Sequence, residues 1–318
     1  MVKLDYGVPT DKCGITVRLG INKGFFREEG IDLSVKVVFG GPPLAAAYDS
    51  GELQIGEIGS PPGVMFMSRG FRFKVIGGAL RRKAHMYFGA RPEIGDWEGM
   101  RGKRLGLLSR GSCPEWFVRA MLAHRGLDPD NHLEYVGLLD EYARVMEHLA
   151  QGSIDGAICV EPAMAIGESR GVIRCWGAVY DEPYLPQFQW IIHVARPDFI
   201  AEHPHLVRAV LRACKRSAHY AAGNLDEWID FAATHYRIDR ATAGRAVRRE
   251  LPHLHLDGQV DMQGLQEMID LQRRLGAVAR PMNAAEISDL RFLPVGEEPV
   301  AARAERETGA GSANAPVP

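Results

Sequence analysis

The chain has 318 residues, 46% hydrophobic and 25% charged, with a formal net charge of −2. That length can bury one large core or two medium ones. The charge balance speaks against a nucleic-acid partner, which ordinarily leaves a basic surplus. No apolar run reaches the roughly 18 residues a membrane span needs.

Five cysteines (Cys13, Cys113, Cys159, Cys175, Cys214) are odd in number and scattered, with no CxxC or Cys/His spacing. Neither a disulfide framework nor a structural zinc is expected. The opening residues, MVKLDYGVPTDKCGI, lack the basic, apolar and small-residue regions of a secretory signal. As it stands the sequence reads as cytoplasmic, or as periplasmic if a signal has been removed.

In chain order, KLDYGVP reads as a strand and residues 14–29 as one helix closed by Gly30. IDLSVKVVF alternates as a strand and stops at Gly40-Gly41. PPLAAAYDSG is a helix with proline early and glycine late. ELQIGEIG is a strand stopping at Gly59-Ser60, followed by a helix over 62–69 and the strand FKVIGGAL. Alternating strands and helices predict parallel sheets covered by helices.

The grammar then repeats. MLAHRGLDPDNHLEYVG mirrors GFFREEGIDLSVKVVFG, and EYARVMEHLAQGSIDGAICVEP mirrors PLAAAYDSGELQIGEIGSPP. Two copies in matched order predict two similar α/β halves. Residues 199–275 follow a helical period, with Arg248-Arg249 and Arg273-Arg274 read as solvated faces. The last stretch, residues 297–318, is rich in Ala, Gly, Pro and Glu and is expected to be disordered.

Ligands of open parallel sheets sit beyond the carboxyl ends of the strands. Those ends here carry Thr10, Asp11 and Cys13; Gly40 and Gly41; Gly59 and Ser60; Arg82 and His85; Ser109, Arg110, Gly111 and Ser112; and Glu161. The Ser109–Ser112 corner opens a helix, where free N–H groups and the dipole favour an anion. Gly111 permits close backbone approach and Arg110 supplies a cation. A thiol at Cys13 would gain nucleophilicity beside a helix start, with Lys12 adjacent. Glu161 offers a partner for a cationic group or a general base. Trp190, in QFQWIIHVAR, offers an aromatic wall. His203, His205, His253 and His255 form H-x-H pairs that no carboxylate pattern completes. No metal and no cofactor are expected.

Five segments carry a resemblance: GFFREEGIDLSV, YDSGELQIGEIGS, MRGKRLGLLSRGSCPEWFVRAML, AQGSIDGAICVEPAMA and FIAEHPHLVRAVLRA. In this order they resemble periplasmic solute-binding proteins for nitrate, alkanesulfonates and taurine, whose domain the thiamine-pyrimidine synthases share. The resemblance runs over residues 3 to 295. It implies a type 2 two-lobed α/β fold, each lobe a mixed sheet flanked by helices, with the ligand cleft between. The implied division is residues 1–86 plus 190–296 for one lobe and 87–189 for the other, with MYFGARPE and QFQWIIHVAR as crossing strands.

The same fold resembles that of a cytosolic aromatic-sulfinate desulfinase and a dihydroxyphthalate decarboxylase. Cys13 stands where the desulfinase carries its nucleophile, and Gly56-Glu57-Ile58 before Pro-Pro also recurs. Its supporting histidine and arginine have no counterparts, since Pro42 or Pro43 and Leu53 stand near those places. The cysteine-rich motif of the thiamine-pyrimidine synthases is absent.

The leading expectation is capture of a small anion or aromatic acid for an ABC permease, by a monomer or dimer without a membrane span. The alternative is a cytosolic lyase, a decarboxylase or desulfinase acting through Cys13 with His85 and Arg82. A ligand sensor acting through a partner protein is a third.

Overall fold

The computed structural model describes residues 1–81, 85–274 and 276–293. Arg82 and the stretch 297–318 lie outside the described residues. No helix among the described residues is long and apolar enough to cross a membrane.

The first half builds β1 (Val2–Val8), α1 (Ile15–Asn22), α2 (Phe25–Glu28), β2 (Ile31–Val37), α3 (Gly41–Ser50), β3 (Ile55–Gly59), α4 (Ser60–Ser68) and β4 (Lys74–Leu80). One helix over 14–29 was expected. Gly24, at φ 85°, breaks it into α1 and α2, because that backbone conformation ends a helix turn.

The second half repeats the series with β5 (Tyr87–Ala90), β6 (Arg104–Leu107), α5 (Cys113–His124), β7 (Glu134–Gly137), α6 (Val145–Gln151), β8 (Gly156–Cys159), α7 (Ala163–Ser169) and β9 (Arg174–Ala178). Then come β10 (Ile191–Ala195) and the helices α8 (Pro197–Glu202), α9 (Pro204–Gly223), α10 (Leu225–Tyr236), α11 (Arg240–Glu250) and α12 (Met262–Arg274).

Two five-stranded sheets form, in the orders β2-β1-β3-β10-β4 and β7-β6-β8-β5-β9. The orders correspond position by position. In each, the fourth strand is antiparallel to its neighbours, β10 against β3 and β4, and β5 against β8 and β9. The expected crossing strands therefore end as sheet members, Tyr87–Ala90 in the second sheet and Ile191–Ala195 in the first. The chain passes from the first sheet to the second between β4 and β5 and returns between β9 and β10.

Each sheet sits between helices with apolar faces. In α9, Leu206, Val207, Val210, Leu211 and Cys214 are buried at helical spacing. A Cβ on Gly20 of α1 would lie 1.8 Å from Ser217 Oγ, so only glycine lets α1 lie so close to α9. Five long-chain residues of α3 and α4 (Leu44, Tyr48, Val64, Met65, Phe66) close the other face of the first sheet.

Candidate functional site

A cavity of about 1040 Å³, its mouth included, lies between the lobes. The first lobe contributes Thr10, Lys12, Cys13, Gly14, Gly41, Glu57, Gly59 and Pro62. The second contributes Leu108, Ser112, Cys113, Pro114, Tyr142 and Glu161. The crossings add His85 and Trp190, and the helix end and turn after α11 add Glu250 and Leu254.

The lobes touch across one side of it. A Cβ on Gly59 would lie 3.5 Å from Cys113 Sγ, and one on Gly40 would lie 3.6 Å from Ser109 Oγ. Gly59, Gly41, Pro62 and Cys113 form a corner where the starts of α3 and α5 meet. Prolines take the next positions, Pro42 and Pro43 in α3 and Pro114 in α5. They supply no N–H, so the amides of Gly41 and Cys113 are the first that each helix start offers.

Several expected site residues stand elsewhere. The Arg110 guanidinium is held by Glu115 at 3.0 Å and lies over the Tyr135 ring, on the exposed side of the turn. Gly111 gives its amide to Glu115 Oε2 at 2.7 Å. Glu115, in the first turn of α5, thus acts as the helix's own anion. Burial works against its ionisation, but Arg110, the Gly111 amide and Arg119 together hold it below its ordinary range. The polar corner is mainly a capped turn.

Ser112 lines the cavity, but its hydroxyl turns back to Ser109 O. Ser109 and Gly40 face each other between the lobes rather than on the cavity wall. Ser60, fully buried, ties α4 to the return crossing. Its hydroxyl donates to Gln189 O and its amide to Trp190 O. Asp11 is outside the wall and pairs with Lys12 at 2.5 Å.

Cys13 is on the wall, with Thr10 Oγ1 3.3 Å from its sulfur. Burial, with Glu57 nearby, pushes its thiol up to about 12. Lys12, on the wall, is held by Asp11 and lies 5.5 Å from the Tyr236 ring centroid. The Thr10 hydroxyl favours the thiolate, but burial and Glu57 outweigh it. Burial pushes the Cys113 thiol up as well. His85 is buried, its ring 3.7 Å from that of His253, and both burial and His253 hold it well below the ordinary histidine range.

Glu161 Oε1 accepts from Arg249 Nη1 at 2.7 Å, and Oε2 accepts from the Ala165 amide at 3.0 Å. Burial still raises its pKa. Arg249 also reaches Glu168 at 2.9 Å and lies over the Tyr87 ring. It was expected to be solvated. Instead α11, which follows the first sheet's strands, lies against α7 of the second lobe, and Arg249 bridges the two. Trp190 lines the cavity and packs on Phe117 and Phe188.

Two wall carboxyls were not anticipated as ligand contacts. Glu57, buried on β3, accepts from Tyr6 Oη at 3.4 Å and from the Gly14 amide. Burial raises it to about 7 against those bonds and the pull of Arg18. Glu250, the last residue of α11, is raised to about 8 by burial and by the carboxyls of Glu161 and Glu57. A lone glutamate inside the apolar run IGEIG was a readable signal for Glu57. Glu250 had none, because α11 carries charges throughout.

Two mixed sheets of matched order, closing on a shared cavity, define the class of two-lobed periplasmic-binding-protein folds. The alkanesulfonate-binding protein SsuA from Xanthomonas axonopodis pv. citri, solved bound to MOPS, superposes with a TM-score of 0.74 over 91% of this chain and 98% of that one, at 15% identity. The chain belongs to the NMT1/THI5 like family, whose profile matches residues 15–227.

The taurine-binding periplasmic protein of Escherichia coli (strain K12) is 26% identical over 212 residues, 64% of this chain and 62% of that protein. The 4-amino-5-hydroxymethyl-2-methylpyrimidine phosphate synthase of Candida albicans (strain WO-1) is 23% identical over 232 residues, 68% of this chain and 66% of that enzyme. The chain spans about half to two thirds of the length of the curated relatives it matches.

Proposed function

We propose that the chain captures a small organic acid in the interlobe cavity and presents it to an ABC permease. The observation that carries this reading is the corner where the starts of α3 and α5, from opposite lobes, meet over one enclosed space. An acid group there gains the Gly41 and Cys113 amides and both helix dipoles. Met86, Leu108, Trp190 and Leu254 give the wall apolar stretches that suit an aromatic or aliphatic body. Closing two lobes around such a solute buries it and makes capture reversible by hinge opening.

The lyase alternative loses support at its nucleophile. A thiol at about 12, with the neighbouring ammonium already paired, is almost wholly protonated at neutral pH. The test is a calorimetric titration with small sulfonates and carboxylates, paired with X-ray scattering and product analysis. Saturable binding with compaction and an unchanged solute is the expected outcome. Release of CO₂ or sulfite from a bound acid would overturn the transport reading.

A further inference from the structure

We infer that Glu57 binds the solute's acid group as a neutral carboxylic acid, donating its own proton to it, so that capture of an anion is coupled to capture of a proton. The inference rests on the solute-capture reading and assigns a recognition residue within it.

Glu57 is 6% exposed and lines the cavity. It shares a face of β3 with Gly59, two residues on, so roughly 7 Å separates its Cα from that of the corner residue. Gly59 puts no side chain between them. A Cβ there would already lie 3.5 Å from both Cys113 Sγ and the Pro62 ring. An acid group seated at the Gly41 and Cys113 amides is therefore within reach of the Glu57 carboxyl. The Gly14 amide and Tyr6 Oη, the latter at 3.4 Å, donate to that carboxyl and fix its place. Tyr6 Oη is in turn 2.7 Å from His193 Nδ1.

The protonation state follows from what surrounds it. Glu57 makes no ion pair among the described residues. The titratable and charged groups bearing on it are Tyr6 and His193 behind it, Cys13, Arg18 of α1, Tyr48 of α3, Cys214 of α9 and Glu250 of α11. Of these Arg18 pulls toward the charged form, but burial outweighs it and lifts the carboxyl to about 7. An anion brought to the corner adds a like charge and lifts it further. As a carboxylate, Glu57 would repel that anion. As an acid it gives the anion an O–H···O⁻ bond, the short charge-assisted kind. The complex therefore holds a proton that the empty protein releases above neutrality, and affinity falls as pH rises through that range.

The test is calorimetric titration of the whole chain with benzenesulfonate and with isethionate from pH 5.5 to 9. Both probes stay ionised throughout, so only the protein titrates. Repeating each titration in buffers of different ionisation enthalpy counts the protons taken up. The expected dissociation constant is level below pH 6 and rises by up to about tenfold per pH unit above 7. Proton uptake should grow over the same range. Glu57→Gln keeps a donor but cannot ionise. It should bind severalfold more weakly than wild type at pH 6 and more tightly at pH 9, with the shallow slope that Glu250 leaves. Tyr6→Phe removes a bond that favours the carboxylate, so its profile should move to higher pH. It tests the inference even where Glu57→Gln does not fold. Affinity independent of pH, binding without proton uptake, a slope as steep in folded Glu57→Gln as in wild type, or an unmoved Tyr6→Phe profile overturns the inference and leaves solute capture standing. No binding of either sulfonate at any pH would count against both.

Discussion

Glu57 shows how one side chain couples the site to stability. The groups bearing on it are Tyr6 on β1, the Gly14 amide and Arg18 on α1, and Cys13 and Cys214, with His193 of β10 2.7 Å from Tyr6 Oη. Burial lifts its carboxyl from 4.5 to about 7. The folded chain therefore holds a proton that the unfolded chain releases between those values, and stability falls as pH rises through that window. At about 1.36 kcal/mol per pH unit the total approaches ~3 kcal/mol. Glu57→Gln removes this titration. Urea unfolding is expected to show the variant close to wild type near pH 4.5 and more stable by that order at pH 8. A residual slope should remain from Glu250, which is shifted in the same direction. A gap that does not widen with pH would refute the assignment. Cys13 gives a kinetic counterpart. With its thiol near 12 rather than the ordinary 9, the thiolate fraction at pH 7.5 is about a thousandfold smaller. Mass-spectrometric alkylation by iodoacetamide should be at least a hundredfold slower at Cys13 than in a model peptide, and Cys13→Ser should still bind solute. Both residues lay in readable sequence, but pattern alone favoured the thiol. The carboxyl's importance depends on burial, which only the packed sheets supply.

At the scale of elements, the helix–glycine–strand units were legible because their signals are local: apolar period, proline early, glycine late. The polar corner before α5 was legible as a helix start and misleading as a ligand set. Glu115, one turn onward, captures Arg110 and the Gly111 amide, and that capture depends on side-chain direction within the turn. In the Arg248-Arg249 pair, Arg248 is exposed as expected, but Arg249 was misread for the opposite reason. A basic stripe looks solvated until another lobe is laid against it. Arg249 holds Glu161, just before α7, and Glu168 within it from its place on α11, so it ties the two elements together. Replacing Arg249 by Met removes both charge-assisted bonds, at roughly 1.5–3 kcal/mol each, and leaves Glu161 buried and unpaired. X-ray scattering should show a larger radius of gyration for Arg249→Met without solute, and solute affinity should drop tenfold or more. Adding Glu161→Gln should restore part of the loss, because the orphaned charge is gone. Additive losses in the double variant would show that the two side chains do not act as a pair.

The whole molecule is two copies of one sheet order, exchanged at their fourth strands. The duplication was visible in the sequence. The exchange was not, because an apolar strand carries no mark of which sheet it joins. MYFGARPE and QFQWIIHVAR read as connectors, yet their strands complete opposite sheets, β5 in the second and β10 in the first. The proposed capture of a solute between the lobes implies that contacts across the cleft form and break. Gly59 and Cys113 provide a direct way to follow this. Gly59 has ordinary extended backbone, φ −61° and ψ 136°, so a side chain there is not strained. Its Cβ would lie 3.5 Å from Cys113 Sγ, a gap that one added sulfur spans. Gly59→Cys should therefore form a disulfide with the native Cys113 under mild oxidation, seen as the loss of two hydrogens by intact mass. The thiol of Cys113 is buried and pushed up, so the bond should form slowly and at a rate set by opening of the cleft. Oxidised after loading, the variant should hold its solute through dialysis and release it on reduction. Oxidised empty, it should refuse solute. Failure to cross-link, or solute exchange as fast when oxidised as when reduced, would mean that the two corners do not close over the ligand, and the capture mechanism would fall with them.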